Sequence, residues 1–290
     1  MDKRILQIGI EVNGKLNVYS DARMTVKINK SSDSKQNTCE VTISNLLKET
    51  IDYLITETSP WNPSRSPKIL TVMAGRESVG VERIYVGEVI SAVPSLPPDI
   101  TLTMKAQTLE SAKYKWSSIN SPKVIQLSEL SSRISKAFGL NLKMEAKDKT
   151  ISNYLFNGPL AKQVKKLELV GDIDAYVDDE YLVVKDLGKA LKGVVRVVSA
   201  NNGMIGIPTL DEKGVRVRVL YDPNFTMGQQ IEIQSDLNQA ASGQFVTYNM
   251  AYSLANQDQD WYIDLSCNND NIKSIAEKRG AIKKKDGKSK

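Results

Sequence analysis

The chain has 290 residues, 41% hydrophobic and 25% charged, which is enough to bury a core without staples and, at roughly 150 residues per domain, to form about two domains. It contains no histidine, which excludes Ser-His-Asp and Cys-His nucleophile activation, His-ligated zinc and histidine pH switches. The formal charge of +5 is local: from residue 273 onward there are eight Lys/Arg and two acids, a net +6, which leaves the other 272 residues at −1. The near-neutral body has no basic stripe interleaved with aromatics, so the basic end reads as a solvated, flexible arm rather than a nucleic-acid groove.

Near the N-terminus, Lys3-Arg4 and the apolar positions of 5–12 resemble a leader only faintly. Gln7 and Glu11 interrupt them, no small-residue cleavage site follows, and no apolar run reaches the ~18 residues of a membrane helix, so the chain is expected to fold in a cytoplasm, with no membrane partner. Ile8, Ile10 and Val12 alternate with small or polar residues, and Asn13-Gly14 supplies the turn of a hairpin. Further strands are predicted at 24–29, 39–44, 68–73, 83–93 and 99–106. In the last of these Ile100, Leu102 and Met104 point one way and Thr101, Thr103 and Lys105 the other, the mark of a sandwich or barrel with one buried face. One helix intervenes, with Leu47, Ile51 and Leu54 as its stripe and Asn45 as its cap. Proline-rich surface loops follow at 60–67 and 94–98.

From about 108 to 192 the period changes. Leu127, Leu130, Ile134 and Phe138 form a helical stripe, with Ser128 as cap and Gly139 as stop. Pro159 opens a second helix carrying Leu160, Val164 and Leu167 and ending at Gly171. A hairpin follows, 174–177 and 181–185 about Asp178-Asp179. From Val194 strands return: Val215, Val217 and Val219 alternate with Arg216 and Arg218, Ile231 and Ile233 with Glu232 and Gln234, and strands at 243–254 and 261–267 complete the set. The expected organisation is a first β-barrel domain over 1–106, an α+β domain over 107–192, a second β-barrel domain over 193–268 and a basic tail over 269–290.

Few residues carry a chemical signal. Cys39 and Cys267 read as buried free thiols. Asp178, Asp179 and Glu180 sit at a hairpin tip, where a solvated turn is expected rather than the desolvated carboxyl pair that acid/base catalysis needs. Asp172 and Asp174 lack the partners of a calcium loop, and Gly203-Met204-Ile205-Gly206 lacks the lysine and helix of a phosphate cradle and reads as backbone shaping. No catalytic, metal or cofactor site is expected. Trp261, at a strand start, is expected to cap the core. Trp61, among prolines and polar residues, is the candidate interface anchor, and Arg216 and Arg218 form a polar strand face that is either solvated or meets a neighbouring chain.

Three stretches carry a family likeness: Ile151-Ser152-Asn153-Tyr154-Leu155-Phe156-Asn157-Gly158-Pro159-Leu160; Gly203-Met204-Ile205-Gly206-Ile207-Pro208 with Gly214-Val215-Arg216-Val217-Arg218-Val219-Leu220-Tyr221-Asp222-Pro223 and Met227-Gly228-Gln229-Gln230-Ile231; and Gly243-Gln244-Phe245-Val246 through Trp261-Tyr262-Ile263-Asp264-Leu265. In order and spacing, over roughly residues 1 to 268, the chain resembles the baseplate hub proteins of contractile-tailed phages, related to the late control D family. The resemblance implies a mainly β fold with an α+β insert, two tail-tube-like barrels in one chain. It also implies a non-enzymatic virion protein of the tail baseplate, assembled in the host cytoplasm. The implied homotrimer adapts a hexameric tail tube to a trimeric central spike, with wedge proteins around it and DNA passing through its channel. The alternatives are another tube initiator or spike-side adaptor of a contractile injection system, and an OB-like nucleic-acid-binding module.

Overall fold

A computed structural model describes residues 2–32, 36–63, 66–121 and 123–268. The alternating segments of the first stretch form β1 (Arg4–Val12), β2 (Lys15–Tyr19), β3 (Met24–Ser31) and β4 (Thr38–Ser44), then α1 (Lys48–Thr58), β5 (Ile69–Arg76), β6 (Gly80–Pro94) and β7 (Thr101–Gln107). The middle stretch holds β8 (Ser117–Asn120), β9 (Val124–Gln126), α2 (Leu127–Phe138), β10 (Asn141–Met144), β11 (Thr150–Ser152), β12 (Leu155–Gly158), α3 (Leu160–Gly171), β13 (Ile173–Asp178) and β14 (Tyr181–Asp186). The last holds β15 (Arg196–Ser199), β16 (Met204–Asp211), β17 (Gly214–Leu220), β18 (Gln230–Gln234), β19 (Gly243–Ala255) and β20 (Trp261–Asn268). The protein is mainly β with an α+β insert.

Strands of the first and last stretches join in one 13-stranded sheet, ordered β16-β17-β20-β19-β3-β4-β7-β6-β5-β1-β2, with β18 on β19 and β15 on β18 as a branch. A sheet of that many twisted strands cannot stay flat. Its long strands change partner along their length: β6 pairs β5 through its first half and β7 through its second, and β19 pairs β18 first and β3 afterwards. Apolar side chains on both sides of these bends meet in one cluster, in which Leu6 and Ile8 of β1 and Val72 of β5 belong with Val26, Val41, Met104, Val217 and Leu265.

The same pattern is built twice. In the first stretch a hairpin (β3, β4) is followed by a strand (β5), a long strand (β6) and a closing strand (β7), paired in the order β3-β4-β7-β6-β5; in the last stretch β16, β17, β18, β19 and β20 repeat both succession and pairing. The bulges repeat too, between Val89 and Ser91 on β6 and between Thr247 and Asn249 on β19. Aligned on these bulges, Met104 matches Leu265, Val41 matches Val217, and Met24 matches Met204. The backbone bond from Ser44 to the Arg23 carbonyl (3.0 Å) recurs from Leu220 to Gly203 (2.8 Å). The copies differ where helix α1 adds Ile51 and Leu54 to the shared core from the first stretch, and where β15 meets β18 in parallel whereas β1 meets β5 antiparallel.

The middle stretch has its own core around Leu127, Leu130, Ile134, Val164, Leu167 and Leu182. Pro159 stands just before α3, and Gly139, at φ 74°, ends α2 as read from sequence. Two caps differ from expectation. Asn45 adopts a left-handed turn (φ 59°) and α1 begins at Lys48 with no side-chain cap, leaving Leu47 exposed. Ser128 lies inside the first turn of α2, and the cap comes from Asp148, whose carboxylate accepts from the Ser128 N–H (3.0 Å) and Oγ (2.6 Å). Ile100 is half exposed, because its strand starts one residue later.

The acidic hairpin tip is not solvated as expected. Lys30 on β3 is 7% exposed and its Nζ lies 2.9 Å from Asp178 Oδ1 and 2.8 Å from Asp179 Oδ2; Glu180 pairs with Arg83 of β6. Burial acts to lower Lys30, but the facing carboxylates hold it above the ordinary lysine range, while burial pushes Asp179 upward. On the other side of the hairpin, the Tyr176 hydroxyl donates to the Met227 carbonyl (3.0 Å) in the loop before β18. The α+β unit is thus bonded to both halves of the large sheet.

Candidate functional site

The strands β3, β4 and β7 bury alternate residues and leave the others on an open face, and β17 and β20 do the same in the second copy. Side chains on such a face interact across strands in fixed pairs. In the first copy Thr42 Oγ1 lies 3.1 Å from Thr103 Oγ1; at the equivalent site of the second, Arg218 makes a two-pronged bond to Asp264 (2.7 and 2.9 Å) and stacks 3.9 Å from the centre of the Tyr262 ring. The Asp264 hydrogen bond holds the Arg218 guanidinium above its usual range. Arg216 pairs with Asp211 (2.7 Å). Burial opposes ionisation of that carboxyl, but the Lys213 and Gly214 N–H groups and Arg216 together hold it below the usual range.

The open face therefore carries Lys27, Lys105, Arg216 and Arg218 against Glu40, Asp211 and Asp264, with threonines between. Most of these charges are already neutralised by neighbours, and exposed pairs of this kind contribute little to stability, roughly 0–1 kcal/mol each. What they supply is a polar, charge-balanced surface spanning both copies.

Arg216 and Arg218 sit where the alternation places them. Trp61 lies in the loop after α1, 92% exposed, and belongs to a different element from the two arginines; the three do not form one site. Trp261 is 1% exposed, packed edge-on against Tyr221 with ring centres 5.3 Å apart, the core role read from its position. Cys39 and Cys267 are buried free thiols. Among the described residues no group of acids and cysteines could hold a metal ion, and no helix is long and apolar enough to cross a membrane. The basic stretch from 273 onward lies outside the described residues.

Sequence reasoning missed two stretches of the large sheet with exposed apolar side chains. On β16, Ile207 and Leu210 are 56% and 51% exposed; at the far end of β6 Val93 is 59% exposed, and Leu96, two residues past the strand, is 87% exposed. The available signal was the apolar character of β16 on both its faces, which a strand with one solvated face does not need.

The family model described as "Baseplate hub gp41" matches residues 5–267. Among curated proteins none matches significantly. Solved structures share the fold at low identity. The 43 kDa tail protein of prophage MuSo2 from Shewanella oneidensis is 10% identical with a TM-score of 0.64, over 92% of this chain and 97% of that one. A tail protein from Neisseria meningitidis MC58 is also 10% identical, TM-score 0.62, with the same coverage. The E. coli c3393 protein, a type VI secretion component described as structurally similar to T4 tail proteins gp27 and gp5, is 8% identical, TM-score 0.55, over 89% of this chain and 76% of that one.

Proposed function

The chain belongs to the baseplate hub gp41 family and is a structural protein of the phage tail baseplate, and from that premise we propose that it works as a non-enzymatic, homotrimeric symmetry adaptor between the hexameric tail tube and the trimeric central spike. The observation that carries this reading is the internal repeat: one strand order, with bulges at matching places, built twice in a single polypeptide. A cyclic trimer presents each of its surfaces three times, which suits a trimeric spike. If each chain contributes two near-equivalent units, 1–106 and 193–268, the same ring offers six near-equivalent edges to a hexameric tube.

In this reading the open face of β3, β4, β7, β17 and β20 lines the channel. Its neutralised mixture of Lys, Arg, Asp, Glu and Thr suits a surface past which DNA slides, because a strongly cationic lining would hold phosphates by counterion release. Arg216 and Arg218 are then lining residues braced by Asp211 and Asp264, and Trp61 on the outer loop is the anchor for a tube, spike or wedge protein. The α+β unit, bonded to both halves through Lys30 and Tyr176, fixes their relative position.

The test is to image isolated tails in which the hub carries a small C-terminal tag. Three tags per baseplate at the tube–spike junction support the adaptor. Six tags, or a position along the tube, would instead favour a tube-initiator role.

A further inference from the structure

We propose that copies of this chain join head to tail by pairing β16 of one with the distal half of β6 of the next, antiparallel, with Asp211 opposite Val93. The proposal rests on the adaptor reading and specifies which edges close the ring.

The template lies inside the chain. Where the first copy of the repeat meets the second, the distal half of β19 pairs antiparallel with β3: Ala251 is opposite Asn29, Tyr252 opposite Ile28 and Leu254 opposite Val26. Aligned by their bulges and partners, the positions of β19 map onto β6, so that Ala251 corresponds to Val93 and Tyr252 to Pro94, the last residue of the strand; by count Leu254 corresponds to Leu96, two residues past it. In the same way β3 maps onto β16, with Ile28 corresponding to Leu210 and Asn29 to Asp211. The repeat therefore contains two junctions of one kind, and the chain makes only one of them. The elements of the other are β16, which ends the strand order and has β17 as its sole pairing partner among the described residues, and the distal half of β6, whose ladder with β5 stops at Glu88 while its ladder with β7 runs on to Pro94.

Burial points the same way. Ile28 and Leu254, on the paired strands β3 and β19, are each 1% exposed; Leu210, the counterpart of Ile28, is 51% exposed, and Leu96, in the loop just past β6, is 87% exposed. Asn238 Nδ2 covers β16 at the Pro208 carbonyl (2.9 Å), but the edge beyond it, at Leu210 and Asp211, has no strand beside it among the described residues, and such an edge is a template for another strand. The occupant that fits both edges at once is a second copy of this chain, since each edge has the counterpart of the other's partner.

Backbone direction agrees. Ser95 donates to the Thr101 carbonyl on the β7 side (2.8 Å), so the neighbouring Pro94 turns its backbone outward, where its missing N–H breaks no bond of the chain. Its carbonyl is left to accept from Leu210. In the template, Ser32 donates to the Tyr248 carbonyl (2.9 Å), so even-numbered residues of β19 carry the ladder and the Ala251–Asn29 pair is a non-hydrogen-bonded one. Val93 and Asp211 inherit that geometry, with Cα atoms about 4.5 Å apart, within reach of a disulfide.

The experiment uses the full chain. Val93→Cys and Asp211→Cys are made singly and together, oxidised, and run without reductant, with the parent chain as the control for Cys39 and Cys267. The expected result is a crosslink when the two single variants are mixed and none with either alone. The double variant should give a ladder that stops at three chains. A crosslink in either single variant alone would mean an isologous contact and would overturn the proposal, as would a ladder running past three.

Because Asp211 also holds the β16–β17 turn, a second variant removes dependence on it: Leu210→Asp should keep the parent's circular dichroism and melting behaviour yet lose the trimer by light scattering. A parent trimer that survives Leu210→Asp and gives no mixed crosslink overturns the edge assignment and leaves the adaptor reading standing. A parent chain that stays monomeric up to its solubility limit and never crosslinks overturns both.

Discussion

Lys30→Met tests how the α+β unit is held to the large sheet. The substitution keeps most of the side chain's apolar stem and removes the ammonium that sits 2.9 and 2.8 Å from Asp178 and Asp179. Removing one partner of a buried ion pair costs about 3–5 kcal/mol, chiefly by leaving the other charge buried and unpaired. Here the two carboxylate side chains retain 28% and 18% exposure, so a loss near the lower end, about 3 kcal/mol, is expected. Urea denaturation of the variant and parent at neutral pH measures it. Restoring charge balance with Asp178→Asn and Asp179→Asn in the Lys30→Met background should recover at least half of the loss, because no charge then remains to be solvated. Hydrogen exchange adds a local reading: amides of β13 and β14 should lose protection before those of β3. A change smaller than about 1 kcal/mol in Lys30→Met, or no recovery in the triple variant, would refute the claim that this cluster clamps the unit.

Three further outcomes follow from the same structure. Burial raises the Cys267 thiol and the Tyr252 phenol to about 12 each. The unfolded chain gives up these protons first, so their stabilisation is full below the ordinary thiol and phenol range and falls as pH climbs through it. By pH 11 the loss is roughly 3 kcal/mol for the thiol and 1 kcal/mol for the phenol, read as a falling urea midpoint between pH 9 and 11; a flat midpoint would contradict it. Gly228 holds φ 79°, and a Cβ there would stand 2.6 Å from the Tyr176 hydroxyl oxygen. Gly228→Ala should therefore lower stability by more than the ~1–2 kcal/mol of the left-handed backbone alone, and an unchanged melting temperature would count against that close approach. Trp61→Ala should leave the isolated chain within about 0.5 kcal/mol of the parent. As an interface anchor it should weaken incorporation into tails by a factor of roughly thirty, corresponding to about 2 kcal/mol; equal incorporation removes Trp61 from that role.

Much of the fold was legible because β3, β4, β7, β17 and β20 each bury one face, and burial of one face writes itself into the sequence as alternation. Val215, Val217 and Val219 fall in the core and Arg216 and Arg218 outside, as their spacing demands. Helix ends with a backbone-level signal were equally readable, as at Pro159 and Gly139. What the sequence hid were partners brought from elsewhere in the chain. The cap of α2 comes from Asp148 across a loop, so Ser128 was a reasonable but mistaken choice. The tip acids looked solvated because nothing near them in sequence announces Lys30, which lies 148 residues away from Asp178. The exposed edges were hidden for a further reason: nothing in the residue types of β16 or of the distal half of β6 tells a strand with a neighbour on each side from one with a neighbour on one side only. Only the comparison of Leu210 with Ile28, two positions matched by pairing rather than by residue type, reveals them.

In the proposed adaptor one chain supplies two equivalent units to a threefold ring, which an electron cryomicroscopy reconstruction of the isolated baseplate hub, computed without imposed symmetry, tests. Three chains of 32.2 kDa are expected, with β3 and β16 at the same radius and height so that six similar lobes surround one channel. A ring of six chains, or one in which the two stretches sit at different radii, would contradict it.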